Sequence, residues 1–347
     1  MAGRVRCEQN AWPLHDHRRL PVPFPPGITV HPELAPYLDA LPPYADPFQD
    51  IAATRERFGK LLAATPADRT GVRSQRYDIP REDGSALTVE VYRPEVAEGS
   101  SPPGALPAVL HFHGGGYAIG RALPGQDKTA IDLCRALPAV TVTVEYRLAP
   151  EHRCPAGVED CYRALEWTAQ RAAELGIDPE RIAVTGKSAG GGLSAAVALM
   201  SRDRGGPALA YQSMCVPDLD DRIAEEPVPA DAENAPAPWV NSLRTMRASW
   251  QHYLPEGAAA GAYAAAARAE DLTGLPPAYV LVCDLDPLRD PGLAYARRLM
   301  DAGVQVTVRN VPGAWHGFEL HAPRTRLARE MSAHWTGHLR AALHPVS

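Results

Sequence analysis

Six short, mainly apolar runs bounded by turn residues set the pattern of this 347-residue chain. They are Ala108 to Phe112, Ala139 to Val144, Ile182 to Thr185, Ala208 to Met214, Ala278 to Val282 and Val304 to Val308. Strands apolar on both faces need cover on both faces, which a sheet with helices on either side provides. Several intervening segments have helical spacing. Val158, Cys161, Tyr162, Leu165, Ala169 and Ala172 share one helix face, and Gly176 is placed to end that helix. Strands alternating with helices predict an α/β fold with a mostly parallel sheet.

Upstream, Tyr77 to Pro80 and Leu87 to Tyr92 flank Asp83-Gly84, and Leu87, Val89 and Val91 alternate with polar residues. That reads as a half-exposed hairpin at the sheet edge. Residues 1–75 are proline-rich up to Pro47. A helix-like stretch then runs from Pro47 to Ala64, with Phe48, Ile51, Phe58, Leu61 and Leu62 apolar. We expect an N-terminal arm and cap over residues 1–75 and a catalytic domain over 76–347. Pro227, Pro229, Pro236 and Pro238 break the alternation before a helical pattern from Val240 to Tyr253, which suggests a cap insertion at about 217–255.

Charge and composition exclude several classes. Hydrophobic residues make up 45% and charged residues 22%, the balance of a globular chain rather than a disordered one. A net charge of −6 supplies no concentrated basic surface, so nucleic acid is not expected as a partner. No apolar run approaches bilayer-spanning length, and Arg4, Arg6, Glu8, Asp16 and Arg18 interrupt the start where a signal peptide would be apolar, so we expect no membrane and a cytoplasmic location. Cys7, Cys134, Cys154, Cys161, Cys215 and Cys283 form no CxxC pair, so neither a zinc site nor a disulfide framework is expected.

The chemistry concentrates in three places. Gly186-Lys187-Ser188-Ala189-Gly190 is a G-x-S-x-G turn between the strand ending at Thr185 and a small-residue helix, where Gly186 and Gly190 let backbone pass closely while Ser188 stands exposed. A serine hydroxyl needs a base to take its proton, and the resulting oxyanion needs donors already in place. His113-Gly114-Gly115-Gly116 follows the strand ending at Phe112, so the oxyanion hole is assigned to the N–H groups of Gly115, Gly116 and Ala189, with His113 and Gly114 as supporting residues. Beyond the last two strands lie Asp284, Asp286 and Asp290, then His316. Asp286 is the preferred acid, with Asp284 and Asp290 as alternatives, and His316 is the base. Loops past strand ends are where an open α/β sheet builds its site, and the order Ser, Asp, His is that of one serine hydrolase class.

Five segments together resemble the hormone-sensitive-lipase-like carboxylesterases of the α/β-hydrolase fold. They are His113 to Gly116, Glu145 to Glu151 (EYRLAPE), Gly186 to Gly191, Asp286 to Asp290 (DPLRD) and His316 to Phe318. The resemblance implies an eight-stranded, mostly parallel sheet flanked by helices, a helical cap over the acyl pocket, Asp286 as the triad acid, and no metal or cofactor. It also implies a small-molecule ester as substrate and a homodimer through the last strand or helix. Short- to medium-chain esters are favoured over lipid by the absence of a long apolar cap helix.

Three positions depart from the family pattern. Lys187 stands where aspartate is usual, Gly192 replaces asparagine, and residues 255–271 lack the usual serine-proline segment. Lys187 either favours an anionic substrate group, repairs a charge balance elsewhere, or is simply tolerated. The same triad would also serve an amidase, lactonase or deacetylase, and a non-catalytic binding protein on this fold would lack the base.

Overall fold

The computed structural model describes residues 29–38, 47–64, 67–95, 104–123, 127–227 and 242–345. Cys7, Val240 and three of the four insertion prolines lie outside these ranges. Eight strands form one sheet: β1 (Val72–Pro80), β2 (Ala86–Pro94), β3 (Leu106–Phe112), β4 (Val140–Val144), β5 (Ile177–Lys187), β6 (Tyr211–Cys215), β7 (Ala278–Leu285) and β8 (Val306–Trp315). Their order is β1-β2-β4-β3-β5-β6-β7-β8. The β1–β2 hairpin joins β4 antiparallel, and every later pairing is parallel. The helices are α1 (Ile51–Ala63), α2 (Asp127–Ala136), α3 (Ala156–Gln170), α4 (Ala189–Asp203), α5 (Leu243–Tyr253), α6 (Arg289–Asp301), α7 (Phe318–His321) and α8 (Arg326–Leu343).

Because successive strand residues point to opposite faces, the apolar runs feed two cores. Leu110, Val142, Ile182 and Val184 pack on one side with α3, α4 and α5. Val109, Ala183, Tyr279 and Leu281 pack on the other with α8, through Met331, Trp335 and Leu339. The sheet therefore lies between helical layers, with its C-terminal strand ends open to the cap.

The hairpin occupies the sheet edge, but β2 is not half-exposed: Glu90 and Tyr92 are as buried as their apolar neighbours. Arg69 and Arg76 bind Glu90 at 2.8 and 2.9 Å, so two ion pairs satisfy what the alternating pattern assigned to solvent. Burial works against the Glu90 carboxylate, but these hydrogen bonds and charges outweigh it and lower its pKa. Helix α3 stops at Gln170, before Gly176, and the chain continues in turns. Strand β8 begins later than its apolar run and continues to Trp315, which brings the strand end directly to His316. Among the described residues, no helix is long and apolar enough to cross a membrane.

Candidate active site

Ser188 caps α4 with φ 57° and ψ −125°, a conformation that L-residues avoid. Close backbone packing maintains it. The Ser188 N–H donates to Cys215 O at 2.9 Å, and its carbonyl accepts from Gly191 N at 2.8 Å, and from Gly192 N and Asp218 N at 3.1 Å each. A Cβ on Gly190 would stand 2.0 Å from Phe112 O, so only glycine lets the helix start press against the end of β3. These contacts explain why the turn needs its glycines and why Ser188 stays at the mouth.

Asp286 and His316 enter from the ends of β7 and β8. The His316 Nδ1–H meets Asp286 Oδ2 at 2.6 Å, and Asp286 Oδ1 accepts the Leu288 N–H at 3.0 Å. Asp286 is 1% exposed, and the His316 side chain 14%. Burial alone would lower the His316 pKa. The charge and hydrogen bond of Asp286 outweigh it, with smaller contributions from Glu319 and Asp218, and raise the pKa above the usual 6.5.

The alternative aspartates are otherwise occupied. Asp284 accepts from Asn310 Nδ2 at 2.6 Å and Gly313 N at 3.0 Å, bracing the β7 end against β8, and Asp290 binds Arg289.

The glycine loop lies against the nucleophile turn: a Cβ on Gly114 would meet Lys187 O at 2.9 Å and Ser188 Cβ at 3.4 Å. The N–H groups of Gly115, Gly116 and Ala189 donate to no other group among the described residues. His113 is buried beneath the loop, donating from Nδ1 to Gly114 O at 2.9 Å and stacking on Tyr146 at 4.1 Å. Burial pushes its pKa down to about 4, so it supports the loop as a neutral ring.

Residues before and within α1 and in α5 border the site. Phe48 precedes α1, and its ring fills the space in front of Gly116, where a Cβ would approach it to 2.4 Å. Arg55 of α1 donates to Ala118 O and Ala149 O at 2.7 Å each and pairs with Glu151, tying the arm to the glycine loop and to the EYRLAPE segment. From α5, Ser249 Oγ donates to Gly116 O at 3.0 Å, and Trp250 Nε1 donates to Asp218 Oδ1 at 3.1 Å.

Sequence reasoning missed Arg55, Asp218 and Ser249. Asp218 left a signal, since it follows the end of β6 at the same edge of the sheet as the other site residues. It is 1% exposed, and burial pushes its pKa up to about 7. Its carbonyl also accepts the Tyr117 hydroxyl at 2.8 Å. A Cβ on Gly192 would collide with both groups, at 2.1 Å from Asp218 O and 2.4 Å from the Tyr117 hydroxyl, which accounts for glycine in place of asparagine.

Lys187 points away from the mouth. Its Nζ binds Glu319 Oε1 at 2.8 Å and lies 5.0 Å from the Trp335 ring centroid. The lysine is engaged in charge balance rather than offered to an anionic substrate group.

Residues 109–320 match a family model described as an alpha/beta hydrolase fold. The chain is 35% identical over 325 residues to carboxylesterase NlhH of Mycobacterium tuberculosis, covering 91% of this chain and 97% of that one. It is also 35% identical over 317 residues to esterase LipI of Mycobacterium tuberculosis, covering 91% and 96%. A solved bacterial heroin esterase superimposes with a TM-score of 0.82 at 37% identity, covering 91% of this chain and 98% of that one. The chain belongs to the α/β-hydrolase-fold carboxylesterases, close to the hormone-sensitive-lipase-like group.

Proposed function

We propose that this serine hydrolase cleaves short- to medium-chain carboxylic esters through an acyl-enzyme on Ser188. Ester cleavage by a serine hydrolase comes with the family; the residue roles and the chain length are our reading. The observation that carries it is the 2.6 Å contact between His316 Nδ1 and Asp286 at the ends of β7 and β8, with the strained Ser188 turn joined to the segment after His316 by the Lys187–Glu319 contact at 2.8 Å. His316 Nε2 takes the Ser188 proton as Oγ attacks the ester carbonyl. The N–H groups of Gly115, Gly116 and Ala189 receive the negative charge of the tetrahedral intermediate. Protonated His316 then gives its proton to the leaving alcohol. Water activated by the same ring breaks the acyl-enzyme, while Asp286 fixes the tautomer and takes no proton.

Phe48 against Gly116 supports the chain-length reading, because a ring in that space shortens the room next to the oxyanion donors. The net charge of −6 supports a small-molecule substrate over nucleic acid. β8 ends the sheet and carries Val308 at 37% exposure, which supports a homodimer paired along that edge.

The test is the initial rate on p-nitrophenyl esters from acetate to palmitate, with matched anilides and lactones, for wild type and Ser188→Ala. Turnover that peaks at short chains and disappears in the variant supports the reading. A maximum at palmitate, or activity retained by the variant, rejects it. kcat/KM falls as pH drops through the His316 pKa, because the base must be unprotonated, and the raised value sets that limb above 6.5.

A further inference from the structure

We infer that Lys187 and Glu319 are a pair of positioning residues whose opposite charges cancel beside His316 and so set the basicity of the proposed base. Lys187 ends β5, immediately before Ser188, and Glu319 lies in α7, three residues after His316. The pair therefore bridges the loop of the nucleophile and the loop of the base. Its 2.8 Å contact is largely withdrawn from water, with side chains 25% and 15% exposed, and the Trp335 ring of α8 covers the ammonium. At this depth neither charge is well screened, so each affects its neighbours.

The charges facing His316 are Asp286 at 2.6 Å, Asp218 beyond β6, and Glu319. Facing Lys187 are Glu319, the Cys215 and Cys283 thiols of β6 and β7, and His111 of β3. His321 of α7 faces Glu319. Burial lowers His111 to about 3, which leaves that ring neutral, and lowers His321 as well. Burial opposes both members of the pair, and each nevertheless holds the other charged: the Lys187 pKa rises and that of Glu319 falls. Asp286, joined by Asp218 as it ionises near pH 7, already favours protonated His316. An uncompensated carboxylate at Glu319 would favour the protonated ring further, and Lys187 offsets that charge. An aspartate at 187, usual in the family, would set like charges together here, so the lysine and the glutamate account for one another.

The inference rests on His316 being the base, and its test separates the two. The pH dependence of kcat/KM for p-nitrophenyl acetate is recorded from about pH 5 to about pH 9 for wild type, Glu319→Gln, Lys187→Met and the double variant, with thermal melts. Glu319→Gln leaves a lone cation, and its acid limb moves down by about one pH unit. Lys187→Met leaves a lone anion, and its limb moves up by a similar amount. The double variant returns near wild type. Limbs that stay in place, or that move in the same direction in both single variants, overturn the inference even where the melts show lost stability. Should Lys187→Met not fold, Glu319→Gln decides alone, since absence of a downward shift is sufficient to overturn it. A wild type with no acid limb would instead remove His316 as the base.

Discussion

The floor and the roof of the site are built by different means. The floor, formed by the loops after β3, β5, β7 and β8, is held by backbone against backbone: the Gly190 Cα sits where a methyl would meet Phe112 O at 2.0 Å, and three N–H groups converge on the Ser188 carbonyl. The roof touches this floor through side chains, Phe48, Arg55, Ser249, Trp250 and Tyr253 among them. A backbone lattice tolerates almost no substitution, whereas a side-chain contact can change size and leave the lattice intact. On the reading proposed above, reaction chemistry and substrate choice are carried by separable parts.

The comparison breaks most sharply at the floor. Asp286→Asn keeps an acceptor for the Leu288 N–H but turns an amide toward His316, favouring the wrong tautomer. kcat should fall by about four orders of magnitude, measured on the best ester, with an unchanged melting curve. A loss below tenfold would mean that Asp286 does not orient the base. Gly190→Ala should act through folding, costing at least about 3 kcal/mol of stability in denaturant unfolding or preventing soluble expression, because the groups it would meet, the carbonyls of Phe112 and His113, are backbone.

At the roof, Phe48→Ala should shift the preferred acyl chain to longer esters while changing kcat on the best substrate by less than about tenfold, read from the same ester series. An unmoved optimum would mean that Phe48 does not bound the acyl pocket.

The smallest effect is expected at Asp218, where roof and floor meet. Its folded-state pKa of about 7 exceeds the ordinary carboxyl value, so the native state holds a proton that the unfolded chain has released. Stability therefore declines as pH rises from about 4 to about 7. Asp218→Asn keeps an acceptor for Trp250 and abolishes that decline. The variant should gain on the order of 2 kcal/mol relative to wild type between pH 5 and pH 8 in urea unfolding, and parallel pH profiles would refute the buried-charge account.

Sequence alone determined the alternation of buried strands and helices and the hairpin edge, because periodicity and turn chemistry are local properties, and it nominated Ser188 and His316 from their motifs and Asp286 from the family resemblance. It could rank Asp286 above Asp284 and Asp290, but only the structure showed that Asp284 is spent on Asn310 and Gly313 while Asp286 faces His316. Likewise, the lysine before the nucleophile was visible as an anomaly whose meaning depended on a partner 132 positions away. The burial of Glu90, the reach of β8 to His316, the hold of Arg55 on the glycine loop and the place of Asp218 were decided by tertiary structure. Each depends on groups far apart in the chain meeting in a space from which water is excluded, and no local pattern encodes which charges will find partners there.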